Sequence, residues 1–322
     1  MKKILVLLLA FCPLLSSLAF TGCTESEDGS RFSVVTTVFP EYDWVKEIIG
    51  DNKELFDLTL LLDNKADLHN YQPTAEDIIK IGSCDMFIYV GGHSDEWVDG
   101  VLAQAQNDDM IVLNLMELLG DSAEHSQDEH HREEEGDGGH VHEKDEHIWL
   151  SLRHAKTVCT KIADSLATLD PENADDYQKN ASGYCEKLSS LDEEYQAAAL
   201  AAQTKTLLFG DRFPFRYLAE DYGITYYSAF EGCSADSEAS FETIAMLAGK
   251  VDELALPAIM KIEGSDGRIA KTIQEACTSK NVAILAVDSL QTTSLQDAKK
   301  GASYLSIMKN NLEVFKKALG VD

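Results

Sequence analysis

The chain has 322 residues, a length typical of two domains, and 44% of them are hydrophobic, which excludes disorder throughout. Its 56 acidic residues outnumber the 27 basic ones. The formal net charge of -29 excludes nucleic acid as a partner, because phosphate would be repelled, and it favours cations as ligands.

The amino-terminal segment predicts export and membrane attachment. Two lysines precede an apolar run over residues 4–15, and small and polar residues follow, which is typical of a signal peptide over residues 1–22. Residues 20–23 (Phe-Thr-Gly-Cys) resemble a bacterial lipobox, which implies that Cys23 is acylated and that residues 23–31 form a tether. We therefore expect a lipid-anchored protein on the extracytoplasmic face of a bacterial cell membrane. An ordinary signal followed by an incidental cysteine is the alternative.

The next segment predicts an N-terminal lobe over residues 32–170. Short β-branched and apolar runs alternate with helical patterns, and this order indicates a parallel α/β sheet. The predicted strands cover residues 32–38, 55–62, 86–90 and 111–113. The predicted helices cover residues 42–49 and 97–104, and a further helix is opened by the N-cap residue Thr74. After residue 22, no apolar run reaches the roughly 20 residues that a membrane-spanning helix needs.

A long helix and a second α/β lobe follow. Apolar residues recur at three- and four-residue steps within residues 171–203, which predicts a single linking helix. The C-terminal lobe covers residues 204–322, with strands at 206–209, 225–227, 255–260 and 282–287 and a last helix at 295–319. The predicted fold class is therefore α/β, with two lobes of parallel sheet flanked by helices and joined by a long rigid helix. Ligand sites in such sheets lie beyond the carboxyl ends of the strands.

The cysteines other than Cys23 do not follow a zinc-binding pattern, because none of them shows C-x-x-C spacing. Cys159 and Cys185 lie on predicted neighbouring helices. Outside the cytoplasm they can pair in a disulfide, and buried free thiols are the alternative.

Residues 124–146 form a loop rich in histidine and acid. With His147 included, the segment holds six histidines and ten acidic residues among 24 positions. Imidazole and carboxylate groups suit Zn²⁺ and other late divalent metals, so we interpret this loop as a metal-recruiting segment. An acidic insertion with incidental histidines is the alternative. His142 and His147 are five residues apart, not four as in the H-E-x-x-H helix of zinc proteases, which argues against a zinc protease.

Two histidine motifs carry a family resemblance. Residues 67–74 (Asp-Leu-His-Asn-Tyr-Gln-Pro-Thr) place His69 after a strand and before a capped helix, and residues 145–151 (Asp-Glu-His-Ile-Trp-Leu-Ser) contain His147. With the lipobox, the histidine-rich loop and the long helix, these motifs resemble the cluster A-I solute-binding proteins of zinc and manganese ABC importers, over residues 32–322. The resemblance implies a metal site in the interlobe cleft. It also implies capture of Zn²⁺ for delivery to an ABC permease with its cytoplasmic ATPase.

The resemblance implies that His69, His147 and Asp288 bind the metal directly. The family's third ligand, a histidine or glutamate that opens the C-terminal lobe, is missing, because the corresponding stretch reads Leu-Phe-Gly-Asp-Arg-Phe-Pro. Zinc prefers four donors, so we expect His93, which follows a strand and two glycines, to replace that ligand. Asp211 and a water molecule are the alternatives.

Three other functions compete with zinc uptake. Manganese or iron uptake is favoured by the missing histidine but not by the histidine-rich loop. A zinc-storing surface lipoprotein or adhesin would need no closable site between lobes. A metallohydrolase would need a nucleophile and base, and the sequence shows no such constellation. Glu263 resembles a family acid that orients the site rather than binding the metal.

Overall fold

The structure is a computed structural model that describes residues 31–63, 67–120, 145–230, 239–279 and 281–321. The predicted signal peptide, Cys23 and most of the histidine-rich loop lie outside the described residues. Within the described part of the chain, no helix combines the length and the apolar character needed to cross a membrane.

The N-terminal lobe contains a four-stranded parallel sheet, as the alternating pattern predicts. Its strands are β1 (Phe32–Thr36), β2 (Phe56–Leu60), β3 (Met86–Tyr89) and β4 (Ile111–Asn114). They lie in the order β2-β1-β3-β4. The helices are α1 (Phe39–Ile49), α2 (Ala75–Ser83), α3 (Trp97–Leu102) and α4 (Leu115–Leu119). All four residues of β3 are buried, as expected of an inner strand covered on both faces.

The C-terminal lobe repeats this architecture. After the helical connection α5 (Leu152–Leu169) and α6 (Ala174–Ala201), its strands are β5 (Thr206–Phe209), β6 (Thr225–Ser228), β7 (Ala258–Ile262) and β8 (Ala283–Val287). These strands are parallel, in the order β6-β5-β7-β8. The helices are α7 (Arg216–Tyr222), α8 (Phe241–Glu253), α9 (Arg268–Ala276), α10 (Leu295–Lys299) and α11 (Tyr304–Ala318).

The long helix α6 is bonded to both lobes. Its buried stripe follows the predicted spacing and consists mainly of Tyr177, Ala181, Tyr184, Leu188, Leu191 and Tyr195. Asn180 Nδ2 donates to Ile48 O in α1 at 3.0 Å. Tyr195 Oη donates to Met308 O in α11 at 2.7 Å. Because α6 is bonded to a helix in each lobe, we expect it to limit how far the lobes can rotate about each other.

The two lobes also share a hydrophobic core. In β5, Leu207 and Phe209 belong to a cluster that includes Val34 of β1, whereas Leu208 points to a smaller cluster between the second sheet and its outer helices. This alternation follows from the two-residue period of a strand. Tyr304 N donates to the buried carboxylate of Asp43 at 2.8 Å, which adds a polar link between the lobes.

Several helix boundaries differ from the sequence prediction, and α3 ends at Leu102 rather than residue 104. Helix α1 begins at Phe39 rather than residue 42, because Pro40 is tolerated in the first turn, where no intrahelical N–H bond is lost. The last predicted helix is wrong as a single element, since it is divided into α10 and α11. Gly301 has a φ of 103° between them, and Ser303 then starts α11 by accepting a hydrogen bond from Ser306 N.

The cysteine pair considered from the sequence is not bonded. Cys159 and Cys185 are both free thiols. Cys185 Sγ donates to Lys156 O at 3.6 Å, and burial raises the pKa of the Cys159 thiol well above its usual value. Both cysteines therefore serve as packing residues between α5 and α6.

Gly210 is closed to any side chain, which gives a test of the packing. A Cβ at this position would lie 2.4 Å from Ala270 Cα, a backbone atom of α9. We expect Gly210→Ala to lower the free energy of unfolding by about 1–3 kcal/mol, measured by urea denaturation. Gly249→Ala is the matched control, because its Cβ meets nothing within 4 Å. It lies inside α8 and should gain up to about 1 kcal/mol. Equal effects of the two changes would contradict the packing account.

Candidate metal centre

The structure brings His69 and His147 together. Their Nε2 atoms lie 3.4 Å apart, although the residues are 78 positions apart in the chain. Two nitrogens bound to one tetrahedral zinc at about 2.0–2.1 Å are separated by about 3.3–3.4 Å. The observed spacing matches that of two imidazoles on one tetrahedral metal ion, and it also lets one ring nitrogen donate a hydrogen bond to the other.

The same local device positions both histidines. His69 lies in a 3₁₀ turn, Leu68–Asn70, whose cap is Asp67, and His69 N donates to Asp67 Oδ1 at 3.1 Å. His147 N donates to Asp145 Oδ1 at 2.9 Å, just before a second 3₁₀ turn, Ile148–Leu150. In each D-x-H sequence, the aspartate thus fixes the backbone of the histidine two residues later.

Contacts at the Nδ1 atoms orient the two rings. His147 is 2% exposed, and its Nδ1 lies 2.7 Å from Asp145 Oδ1. Nδ1 of His69 lies 2.8 Å from Ser94 Oγ. When Nδ1 carries the proton, Nε2 presents a lone pair to a metal, so these contacts favour the ligating tautomer. Burial alone would raise the pKa of Asp145, but the charge and hydrogen bonds of His147 lower it.

Three buried carboxylates lie behind His69. Glu146 Oε1 accepts from Ser94 N at 2.8 Å, and Oε2 lies 3.4 Å from His69 Nδ1. Asp95 Oδ2 accepts from Gly91 N, and Glu41 Oε2 accepts from the backbone before α1. Burial, reinforced by the charge of Glu146, raises the pKa of Asp95 to about 7. Burial also raises the pKa of Glu41. Because raised pKa values favour the neutral carboxyl form, Asp95 and Glu41 attract a cation less than ionised carboxylates would.

In the C-terminal lobe, the candidate residues Asp288 and Glu263 follow β8 and β7. Asp288 Oδ1 accepts from Leu290 N at 2.8 Å, and Glu263 accepts from both the N–H and the hydroxyl of Ser289. Burial and the charge of Asp288 raise the pKa of Glu263 to about 7. Ser289 O in turn accepts from Trp149 Nε1 at 2.9 Å. The turn that carries Asp288 is thus tied to the segment that carries His147.

The other sequence candidates are placed differently. The side chain of His93 is 67% exposed, and its Nδ1 lies 2.8 Å from Glu96 Oε1, so the structure does not bring it into the histidine pair. Asp211 accepts from Arg212 N and Ile262 N, which braces the backbone after β5. Within the described ranges, no three His, Cys, Asp or Glu side chains form a group that could hold a metal ion. The ligand roles of His93 and Asp288 stay predictions.

Sequence reasoning missed one ion pair beside the histidines. Arg212 Nη1, from the segment after β5, lies 3.0 Å from Asp67 Oδ2 in the N-terminal lobe. The pair links residues 145 positions apart. The sequence signal available was weak, because an arginine at a strand end has no fixed partner until the two lobes are packed together.

Two helix-linked α/β lobes with a histidine pair between them define the class of helix-linked solute-binding proteins. The family described as ZnuA, "Zinc-uptake complex component A periplasmic", matches residues 34–318. The chain belongs to this family.

Comparisons with individual proteins agree with this assignment. The zinc-binding lipoprotein AdcA of Streptococcus pneumoniae is 32% identical over 320 residues, which cover 98% of this chain and 61% of that protein. The chain thus spans about three fifths of the length of the AdcA relatives. The high-affinity zinc uptake system protein ZnuA of Bacillus subtilis is 29% identical, with 92% of this chain and 90% of that protein covered.

Solved structures show the same fold. The metal-dependent lipoprotein YcdH of Bacillus subtilis superposes with a TM-score of 0.74 at 26% identity, covering 89% of this chain and 99% of that one. The Zn(II)-bound ZnuA-like domain of Streptococcus pneumoniae AdcA superposes with a TM-score of 0.70 at 27% identity, covering 90% and 99%.

The raised pKa of Asp95 predicts a pH-dependent stability. Its pKa rises from 3.8 to about 7 on folding, so between these values the folded protein holds a proton that the unfolded chain has lost. Stability from this group is therefore present at low pH and is lost as the pH rises toward 7. We expect Asp95→Asn to gain about 1–4 kcal/mol relative to the wild type between pH 5 and pH 8, measured by urea unfolding.

The control for this measurement is Asp108→Asn, which removes an exposed carboxylate in the same lobe. Its difference from the wild type should be the same at both pH values. A difference for Asp95→Asn that does not change with pH would contradict the assigned ionisation.

Proposed function

We propose that this protein captures Zn²⁺ outside the cytoplasm and delivers it to an ABC permease, which works with a cytoplasmic ATPase. The observation that carries the proposal is the 3.4 Å separation of His69 Nε2 and His147 Nε2, the spacing expected at a tetrahedral zinc ion. The names of the relatives, which describe zinc-binding and zinc-uptake proteins, support the same cargo. The role is binding and transfer, not catalysis.

We propose His69, His147, Asp288 and His93 as the ligand set. The first two supply imidazole nitrogens from the N-terminal lobe. Asp288 supplies a carboxylate from the opposite lobe, and the bond from Trp149 to Ser289 supports its position close to His147. The turn of His93 is already connected to the site, because Ser94 contacts His69. A rotation of the exposed His93 side chain would complete four donors, and water or Asp211 would otherwise take that place.

Nitrogen donors favour zinc over manganese as the cargo. Imidazole suits zinc, whereas manganese prefers sets dominated by carboxylate and water. The proposed site contains up to three imidazoles and one direct carboxylate. Because a ligating imidazole must be neutral, bound zinc would be released more readily as the pH falls below about 6.5, the usual pKa of histidine.

The segments outside the described residues complete the proposal. We infer that the loop over residues 124–146 collects zinc near the site, since its histidines and acids are zinc donors. We also infer that the signal peptide is removed and that acylated Cys23 anchors the protein to the membrane. The word lipoprotein in the name of the pneumococcal relative supports this anchor.

Ligand variants test the zinc site. We expect His69→Ala and His147→Ala each to weaken zinc binding by more than about 100-fold, because losing a direct ligand exceeds the 10–100-fold cost of losing an outer contact. Asp288→Asn and His93→Ala should also weaken zinc binding, measured in the same competition titration against a chromogenic chelator.

His154→Gln is the control, because this histidine packs on Tyr217 instead. Wild-type affinity in His147→Ala would overturn the site. Wild-type affinity in His93→Ala beside a large loss in Asp211→Ala would reassign the fourth ligand and favour manganese.

A second experiment tests the anchor. We expect Cys23→Ala to remove the protein from the membrane fraction, because the acyl chains that hold it there have no attachment point. The measurement is fractionation of cells, with immunodetection of the protein in membrane and soluble fractions. Cys84→Ala is the control, a buried cysteine in the N-terminal lobe. If the Cys23 variant stays with the membranes, the lipobox interpretation is wrong.

A further inference from the structure

Arg212 forms an ion pair across the cleft with an aspartate next to the histidine pair. Its Nη1 lies 3.0 Å from Asp67 Oδ2, and the two side chains are only 27% and 18% exposed. Arg212 follows β5 in the C-terminal lobe, whereas Asp67 caps the turn that carries His69 in the other lobe. The ion pair is therefore an interlobe contact in the wall of the proposed metal site.

The two oxygens of Asp67 have different partners. Oδ1 accepts from His69 N and lies 4.0 Å from His69 Nε2, the proposed metal-binding atom. Oδ2 faces the guanidinium of Arg212. A carboxylate at this distance needs only a small side-chain rotation to reach a metal bound at Nε2. Carboxylate oxygen binds zinc and is preferred by manganese. Arg212 opposes that rotation.

An arginine is suited to hold a carboxylate in this way. Its guanidinium stays charged, donates directional hydrogen bonds and has no lone pair to offer a metal. Its contact with Asp67 places this permanent positive charge beside the proposed site.

We propose that Arg212 determines metal selectivity by keeping Asp67 out of the ligand set. The site then stays rich in nitrogen, which favours Zn²⁺ over the harder Mn²⁺. This inference rests on the proposed zinc site at His69 and His147. Without the guanidinium, Asp67 becomes an additional oxygen donor, and the coordination number of the bound metal rises.

A double-mutant cycle tests the proposal in the full-length chain. We expect Arg212→Gln to tighten Mn²⁺ binding by about 10-fold, or about 1.4 kcal/mol, and to change Zn²⁺ binding much less. In the Asp67→Asn background, Arg212→Gln should leave Mn²⁺ affinity unchanged, because the released donor is absent. Arg268→Gln is the matched control, since it removes the same charge from an exposed site in the same lobe. It should alter neither affinity.

A spectroscopic measurement reports the coordination directly. Co²⁺ in place of zinc absorbs visible light strongly when four-coordinate and weakly when the coordination number is higher. Arg212→Gln should weaken this absorption, and the Asp67→Asn double variant should restore it. If Arg212→Gln tightens Mn²⁺ and Zn²⁺ binding equally in both backgrounds, Arg212 acts only through its positive charge, and the proposal is overturned. Unchanged Mn²⁺ affinity in Arg212→Gln would overturn it as well.

Measurements of Tm on the metal-free protein test the ion pair independently of the proposed zinc site. Arg212→Gln should lower Tm in the wild-type background but not beside Asp67→Asn, because the ion pair is lost only once. Additive Tm changes would contradict the pairing itself. If zinc binding is insensitive to His147→Ala, the proposed zinc site fails, whatever the metal-free cycle gives.

Discussion

The geometry of the candidate centre depends on two aspartates that each hold a histidine two residues later. Asp67 and Asp145 both accept the backbone N–H of their histidine, and Asp145 also contacts the ring nitrogen Nδ1. Hydrogen bonds to a charged group contribute about 1.5–3 kcal/mol, enough to fix a tautomer and a ring orientation before any cation arrives. The convergence of the two Nε2 atoms therefore depends on these two turns of the N-terminal lobe, which Arg212 and Tyr217 of the C-terminal lobe also contact.

This arrangement suits a protein whose lobes cannot rotate far. The helix α6 is bonded to both lobes, and a hydrophobic core continues from one sheet into the other. Trp149 joins the two halves at the site itself, because its ring packs on His147 while its Nε1 donates to Ser289 O. If the proposed ligand set is right, the turns of His93 and Asp288 have to move locally toward the histidine pair. Interfaces of packed side chains shift between discrete arrangements, so small turn movements of this kind would be enough to distinguish loaded from empty protein.

The sequence was sufficient to predict the architecture because the relevant signals are local. The apolar run of β5 was predicted at its observed bounds, and the buried stripe of α6 followed from its periodicity. The two D-x-H motifs identified the histidines that converge. The break between α10 and α11 was missed because the apolar stripe continues across Gly301, whose positive φ is a property of the folded backbone. The exposure of His93 and the closed position of Gly210 could not be predicted, since both depend on how other elements pack around them.

The ion pair between Arg212 and Asp67 also could not be predicted from the sequence. It connects the two lobes and adds a positive charge beside the proposed site. The chain carries a net charge of -29, and the carboxylates of Glu146 and Asp67 lie close to the ring of His69. Negative charge attracts any divalent cation, so charge alone provides little discrimination. The guanidinium of Arg212 adds a positive charge at one point, because it lies beside Asp67, a carboxylate that approaches His69 Nε2 to 4.0 Å. In the proposed site, the negative charge of the chain supplies general attraction for cations, while the donors that reach the metal remain mainly nitrogen. Attraction and selectivity are thereby assigned to different residues, and each can change without loss of the other.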